Sequence, residues 1–550
     1  MKVKKVVTLF MTAAMTMSVM AGCGSNPAPS ASGNDSQGSQ EESSKTDAGE
    51  ENNEGNEGGE SAGAGDTITF PLAETMEFTC FSGLNGENAL ENTLTMQVMM
   101  EDANIHVSFD NVLTSEMTEK RNLILASGEY PELFIKAGFG MGDLTKYGGQ
   151  GLLIPLEDLI RQHAPNLTAV LDERDAWQYM TSADGHIYSL PEIGRQEGAI
   201  TTYWLNKRWM DNLGLSEPTS FDELYEVLKA FKEQDANGNG DPDDEIPWFA
   251  NAGVTVFNIL AYEDYAYDQG TRCAVIDGNL TYIPTDDRFK NFIEFVTKCY
   301  ADGLLNQDCF TVAHDQQGAI GQTGDVLGSF FDAGAFLTVG RDNDDDYIAL
   351  TPFQKGTYPL NTGITPGTLA ITDKCENPEV VIAWFDRLYS QEGGMLAWLG
   401  VEGKTYQIND EGDWEWILGG DYGNEIADVR ASATMQGAIN HPSIIPDFWY
   451  SNMSAAIDPD EVYLNGERSK IAEGGMVPLP MMRYEEADNA ELATLKTDID
   501  SYITTYVAQV ATGEGGMTLE GSWDEYIETM KAMNVDRMIE IYQKTYDAAK

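Results

Sequence analysis

At 550 residues the chain is longer than one ordinary domain, and a composition of 42% hydrophobic and 10% aromatic residues supplies enough apolar surface for real cores. Ninety acidic against 33 basic residues give a formal charge of −57, a surface that repels phosphate backbones and argues against nucleic acid as a partner. Neutral or cationic ligands, sugars among them, suit it better, although a local basic pocket can still accept an anion.

The first residues form a secretory leader. Three lysines lie within Met1–Lys5, an apolar run spans Val6–Val19, and the small residues Ala21 and Gly22 precede Cys23. The run is too short for a convincing membrane span. Met20-Ala21-Gly22-Cys23 resembles the bacterial lipobox, whose cysteine is acylated and becomes the mature N-terminus; an ordinary leader with an incidental cysteine is the alternative. Residues 23–66 are rich in Ser, Gly, Asn, Asp and Glu and nearly without apolar side chains, so they are expected to be disordered and to tether a folded body to the membrane. Five further cysteines, Cys80, Cys273, Cys299, Cys309 and Cys375, show no metal-like spacing, and no essential disulfide is expected.

Order is expected to begin near Thr67. ITFPL reads as a β-like run, MEFTCF (Met76–Phe81) as the first core strand, LENTLTMQVMMEDA as a helix and NIHVSF (Asn104–Phe109) as a strand. SEMTEKRNLILAS is a second helix, and EYPELF leads into the next strand. This alternation predicts an α/β fold with parallel strands. In PTSFDELYEVLKAF, Ser220 and Glu223 form a capping box before an apolar face of Phe221, Leu224, Leu228 and Phe231. Ser522 and Glu525 repeat the device before the last helical stretch, where Trp523, Tyr526 and Tyr542 read as core.

Five blocks in order carry a family resemblance: ILASGEYPELF; TYWLNKRWMDNLGLSEPTSFDELYEVLKAFK; CYADGLLNQDCFT; NPEVVIAWFDRLYSQEG with GVEGKTYQI; and WDEYIETMKAMNVDRMIEIYQKTYDA. From about residue 70 to the end the chain resembles the large bacterial extracellular solute-binding proteins (family 1), the lipoprotein type that serves oligosaccharide ABC importers. The resemblance implies a two-lobe periplasmic-binding-protein-like α/β fold with hinge crossovers and a ligand cleft between the lobes. Residues 67–190 and 340–400 are expected in the first lobe, and residues 191–339 and 401–550 in the second. It also implies a monomer anchored by lipid on the extracellular face of the cell membrane, delivering a carbohydrate to ABC permease subunits.

DANGNGDPDDEIPW (Asp235–Trp248) opens like a calcium loop, with Asp235, Asn237, Asn239 and Asp241 on alternate residues around Gly240. Position 12 is Ile246 instead of glutamate, and Pro247 opposes a following helix. The family pattern implies a structural Ca2+ clip held by the side chains of Asp235, Asn237 and Asn239, the carbonyl of Asp241 and the pair Asp244 and Glu245, with Asp243 as a substitute. A solvated acidic turn is the other reading. The acidic run Asp342–Asp346 lacks the glycine and reads as a solvated loop.

Sugar capture calls for aromatic faces and planar polar side chains. The ring candidates are Tyr130, Tyr203, Trp204, Trp248, Trp398, Trp449 and Tyr450, each of which also reads as core; Arg195, Asp332 and Glu402 are the polar ones. A secreted carbohydrate-active hydrolase and a peptide receptor of the same fold are the alternatives. The five histidines (His106, His163, His186, His314, His441) form no HExxH, no GxSxG elbow or P-loop occurs, and no catalytic residue is assigned.

Overall fold

The computed structural model describes residues 68–84, 88–198, 201–241, 243–253, 255–436 and 440–550. The leader, Cys23 and the tether therefore lie outside the described residues. Among those residues no helix is long and apolar enough to cross a membrane.

The first strand, Met76–Leu84, is buried over most of its length and pairs in parallel with Ile105–Leu113 and with Leu133–Ile135. The helix joining the first two, Leu94–Ala103, starts where Thr93 accepts the Met96 N–H. It stops at Asn104, which takes the left-handed backbone (φ 57°) that asparagine tolerates better than most residues. The expected ITFPL strand does not form: Leu72 makes single hydrogen bonds to Ala103 and Asn104, and continuous ladder pairing starts at Met76. Nor is the sheet purely parallel. Ile364–Ile371 inserts antiparallel between Leu133–Ile135 and Leu190–Ile193, and Ser443–Ile444 closes the edge, giving six strands.

A second, three-stranded antiparallel sheet places Thr202–Asn206 between Ser329–Asp332 and Tyr347–Ala349. Its core gathers residues from Tyr203 to Leu360 and again from Leu464 to Tyr542, while the six-stranded sheet has its own cores. Separate cores on two sheets give the two-lobed α/β fold. Residues 401–453, expected in the second lobe, pack with the first: Leu94 joins Met395, Trp414 and Trp449 in one cluster, and Ser443–Ile444 pair with the six-stranded sheet. Residues 340–360, expected in the first, include Tyr347, Leu350 and Tyr358 of the second core. Long-range strand pairing decides both, and it leaves no local trace.

Two crossing segments between the lobes bond to each other, Gly194 N–H to Gly363 O at 2.8 Å and Asn361 N–H to Glu197 O at 2.9 Å. Gly363 has φ +70°, and a Cβ there would stand 2.8 Å from Gly194 O, so only glycine fits this close approach.

The helix Phe221–Glu233 buries Leu224, Tyr225, Val227, Leu228 and Phe231. Ser220 accepts the Glu223 N–H, but the Glu223 carboxylate turns to the N–H and hydroxyl of Thr219, one residue before the cap. At the C-terminus the cap is Thr518, not Ser522. The helix starts at Leu519 and holds Ser522 inside its first turns, because Thr518 satisfies the Gly521 N–H four residues earlier than the expected cap. Asp342–Asp346 is not a solvated loop: Asp344 is buried, and Asp346 accepts from Arg208 at 2.7 Å. Cys80, Cys273, Cys299 and Cys309 are buried thiols, and all five described cysteines are unpaired.

Candidate functional site

Strand polarity fixes where polar groups can collect. Met76–Leu84 and Leu133–Ile135 run in parallel with Ser82 opposite Ile135, so Lys136 leaves the sheet beside Gly83, at the carboxyl end of the first strand. In open α/β sheets that end is where ligands bind. Here it opens into a cavity of about 620 Å3. Gly83, Leu90, Thr93, Lys136, Arg430 and Met435 come from the first lobe, and Arg341 and Asp460 from the second. Among the described residues, no aromatic ring lines it.

Lys136 is its most constrained residue. Its backbone is held at φ 53°, in the left-handed region that non-glycine residues enter at a cost of about 1–2 kcal/mol. The side chain is buried, and its ammonium donates one hydrogen bond, 2.8 Å to Met435 O. Burial pushes its pKa down to about 8, against a partial pull upward from Glu192. Glu192 accepts from Asn440 Nδ2 at 2.7 Å and from the His441 N–H at 3.1 Å. Burial lifts its pKa to about 7 despite those bonds and Lys136, while burial and Lys136 push His441 well down.

The two guanidinium groups are held loosely. Arg341 stacks 3.8 Å over the Phe336 ring and lies 3.6 Å from Asp460 and 4.0 Å from Asp344. Arg430 lies 3.8 Å from Asp458 and 3.9 Å from Glu461, and its Nε is buried without a partner. Among the described residues neither guanidinium donates a hydrogen bond.

None of the ten sequence-nominated ligand residues lines this cavity. Tyr203, Trp204 and Trp248 are sealed in the second core and offer no face to a ligand. Tyr203 bonds Ser329, Trp204 donates to Asp332 O, and Trp248 packs edge-on against Tyr203. The strand of Tyr203 and Trp204, Thr202–Asn206, is buried on both sides, which the sequence pattern does not distinguish from a cleft wall. The Asp332 carboxylate is buried and taken up by Thr338, the Ala333 N–H and Gln317. Tyr130 precedes the Leu133–Ile135 strand, at the end opposite Lys136, and donates to Asp373 at 2.7 Å. Glu402 is exposed in a tight turn bridged to Tyr406.

Four candidates do come together. The Arg195 guanidinium lies 4.1 Å over Tyr450, Tyr450 meets Trp449 edge-on at 4.9 Å, and Trp449 meets Trp398 at 6.2 Å. Trp449 is buried against Trp414, whereas Arg195, Tyr450 and Trp398 are partly accessible. Gln436 of the cavity donates to the Trp398 carbonyl, so this row stands behind the cavity wall. The sequence carried one usable signal near Lys136: EYPELF leads into a strand, which in the structure is Leu133–Ile135 and ends just before Lys136.

The Asp235–Glu245 loop folds as a chain of side-chain-to-backbone turns. Asp235 accepts the Gly240 N–H (2.9 Å), Asn237 that of Asn239 (2.9 Å) and Asn239 that of Asp241 (2.7 Å). Gly238 and Gly240 take positive φ to allow it. Asp244 accepts from the amides of Asn237 and Asn239, and Glu245 from the Ala236 N–H. Among the described residues, no three His, Cys, Asp or Glu side chains group closely enough to hold a metal by themselves. Two carboxylate oxygens, Asp235 Oδ1 and Glu245 Oε2, are nevertheless buried with no hydrogen-bond partner. Burial pushes the Glu245 pKa up. An all-oxygen set with two orphaned acceptors fits a hard cation once the Asn237 and Asn239 amide oxygens join it.

Two lobes, paired crossing segments and a cavity bracketed by both lobes define a solute-binding fold. Residues 91–395 match the family model described as bacterial extracellular solute-binding protein, and the chain belongs to that family. The fructooligosaccharide ABC transporter substrate-binding protein FusA of Streptococcus pneumoniae serotype 4 (strain ATCC BAA-334 / TIGR4) is 28% identical over 510 residues, 87% of this chain and 92% of FusA. The HMO-binding, ABC-transporter-associated solute-binding protein of Bifidobacterium longum infantis superposes with a TM-score of 0.74 at 20% identity, over 86% of this chain and 99% of that one. A FusA EF-hand mutant in complex with fructo-nystose superposes at 0.67 and 24% identity, again over 86% and 99%. These relatives are named as substrate-binding proteins, not enzymes.

Proposed function

We propose that this protein captures an oligosaccharide outside the cell by closing its two lobes on it, and delivers it to the permease subunits of an ABC importer. The observation that supports this reading best is the 620 Å3 cavity at the carboxyl edge of the first sheet, with Lys136 and Arg430 on one lobe and Arg341 and Asp460 on the other. A ligand touching both lobes favours the state in which they are close. FusA, alike over most of both chains, supports the carbohydrate class. Arg195, Tyr450 and Trp398 serve as the supporting row behind the cavity.

In this reading the first lobe comprises residues 68–193 and 364–453, and the second residues 202–349 and 459–550. Cys23 carries the lipid, residues 23–66 form the tether, and the body works as a monomer on the outer face of the membrane. The side chains of Asp235, Asn237 and Asn239, the Asp241 carbonyl and the Asp244–Glu245 pair hold a structural Ca2+. The orphaned oxygens of Asp235 and Glu245 support that assignment.

Thermal unfolding against a carbohydrate panel tests the function: nystose, maltotriose, cellotriose and trigalacturonate, with tripeptides as control. At least one carbohydrate is expected to raise the melting temperature. A shift only with peptides, or hydrolysis of the bound sugar by the purified protein, overturns the reading.

A further inference from the structure

The cavity's charge arrangement bears on which sugars it takes. The protein is strongly acidic as a whole, yet three cations, Lys136, Arg341 and Arg430, face one cavity with three carboxylates, Glu425, Asp458 and Asp460. Among the described residues its lining is therefore balanced, neither basic nor acidic. The opposite charges are also not closed on each other. The Arg341–Asp460 and Arg430–Asp458 separations of 3.6 and 3.8 Å exceed hydrogen-bonding distance, and among the described residues neither guanidinium group has a hydrogen-bond acceptor for its N–H donors.

We propose, resting on the capture reading above, that the Arg341–Asp460 and Arg430–Asp458 pairs are diol-binding brackets, with Lys136 donating from the floor, so that the cavity selects neutral, hydroxyl-rich glycans and rejects uronates. A vicinal diol offers a lone pair from one hydroxyl to the guanidinium and a proton from its neighbour to the carboxylate, completing both unused ends of a bracket. A uronate carboxylate only accepts. It would satisfy the cations but would lie against Asp458, Asp460 and Glu425. Asp458 cannot turn away, because it is buried and its Oδ1 accepts the Glu461 N–H at the start of the helix Pro459–Glu473. Neighbouring acids already resist further negative charge: burial and Asp460 lift Asp344 to about 6, and burial lifts Glu461. With no ring among the described lining residues to stack on a sugar, these hydrogen bonds carry the discrimination.

The test is calorimetric titration of the full chain and of Lys136→Met and Arg430→Lys with nystose, maltotriose and cellotriose as neutral probes and trigalacturonate as the acidic one. The wild type is expected to bind a neutral probe and to bind trigalacturonate at least tenfold more weakly. Lys136→Met and Arg430→Lys are expected to weaken the neutral probe on the order of tenfold or more, while the ligand-free melting temperature of Arg430→Lys stays near wild type. Arg430→Lys keeps the charge and loses the planar fork, so it isolates the bracket geometry. Unchanged neutral-probe affinity in both variants overturns this inference and leaves the capture reading standing, as does a wild type that prefers trigalacturonate. A wild type that binds none of the four overturns both.

Discussion

The rings around Tyr203 and the charges around Lys136 sit in neighbouring lobes and show opposite states of completion. Tyr203, Trp204 and Trp248 have no exposed surface, and two of the three find polar partners inside the core. Around Lys136 the charged groups range from buried (Lys136, Asp458) to exposed (Arg341, Glu425), and among the described residues both guanidinium groups leave their hydrogen-bonding capacity unused. Aromatic residues bury large areas and belong in a core wherever one is available. Charged groups are expensive to desolvate, and the cavity's guanidinium groups face carboxylates at ion-pair distance without hydrogen-bonding them, which is the feature the proposed ligand would complete. Aromatic content therefore led to three rings sealed in the second core, whereas the proposed ligand cavity is marked by unfinished hydrogen bonding.

The sharpest way to break this comparison is Trp204→Ala. Removing a fully buried indole is expected to cost about 3–5 kcal/mol in denaturant unfolding, with sugar affinity of the folded protein unchanged. Lost affinity at unchanged stability would move the ring into the site.

The next effect lies beneath the cavity. Glu192 has its pKa raised from 4.5 to about 7, with Lys136, Asn440 and His441 around it and Tyr389 and Tyr450 nearby. The native state then binds more protons than the unfolded chain across that window. Stability is expected to fall, on the order of 3 kcal/mol, as pH rises from about 4.5 to about 7. Urea unfolding at several pH values should show this fall in wild type and lose most of it in Glu192→Gln. A stability that climbs through the same window in wild type would show Glu192 to be fully paired by its neighbours.

The smallest effect extends the comparison to the Asp235 loop, where unpartnered oxygens point to a cation instead of a sugar. Calcium at a hundredfold excess over its Kd is expected to stabilise the protein by about 2.7 kcal/mol. Asp235→Ala should abolish that gain, and equal calcium responses in the two proteins would make the loop an acidic turn.

Helices and strands with strong local signals were legible. Met76–Leu84, Leu94–Ala103, Ile105–Leu113 and Phe221–Glu233 follow the predicted runs because side-chain periodicity and caps act within a few residues. The antiparallel course of Ile364–Ile371 was not legible, nor was the return of Ser443–Ile444 to the first sheet, since strand partners lie up to hundreds of residues away. The site was legible only in its chemistry. Arg195 and Tyr450 were named and do meet, but Lys136, Arg341, Arg430 and Asp460 were passed over as scattered charges among 123 charged residues.

The sequence by itself determined the family, through five ordered blocks, and the position of the Asp235 loop, because a turn's donors lie within one short segment. Tertiary structure alone decided which aromatics are core, which lobe holds residues 401–453, and which charges face one cavity. Those outcomes depend on burial and on the proximity of distant segments. A residue's chemistry can be read from its letter, but whether its hydrogen bonds are already taken depends on what the fold places beside it.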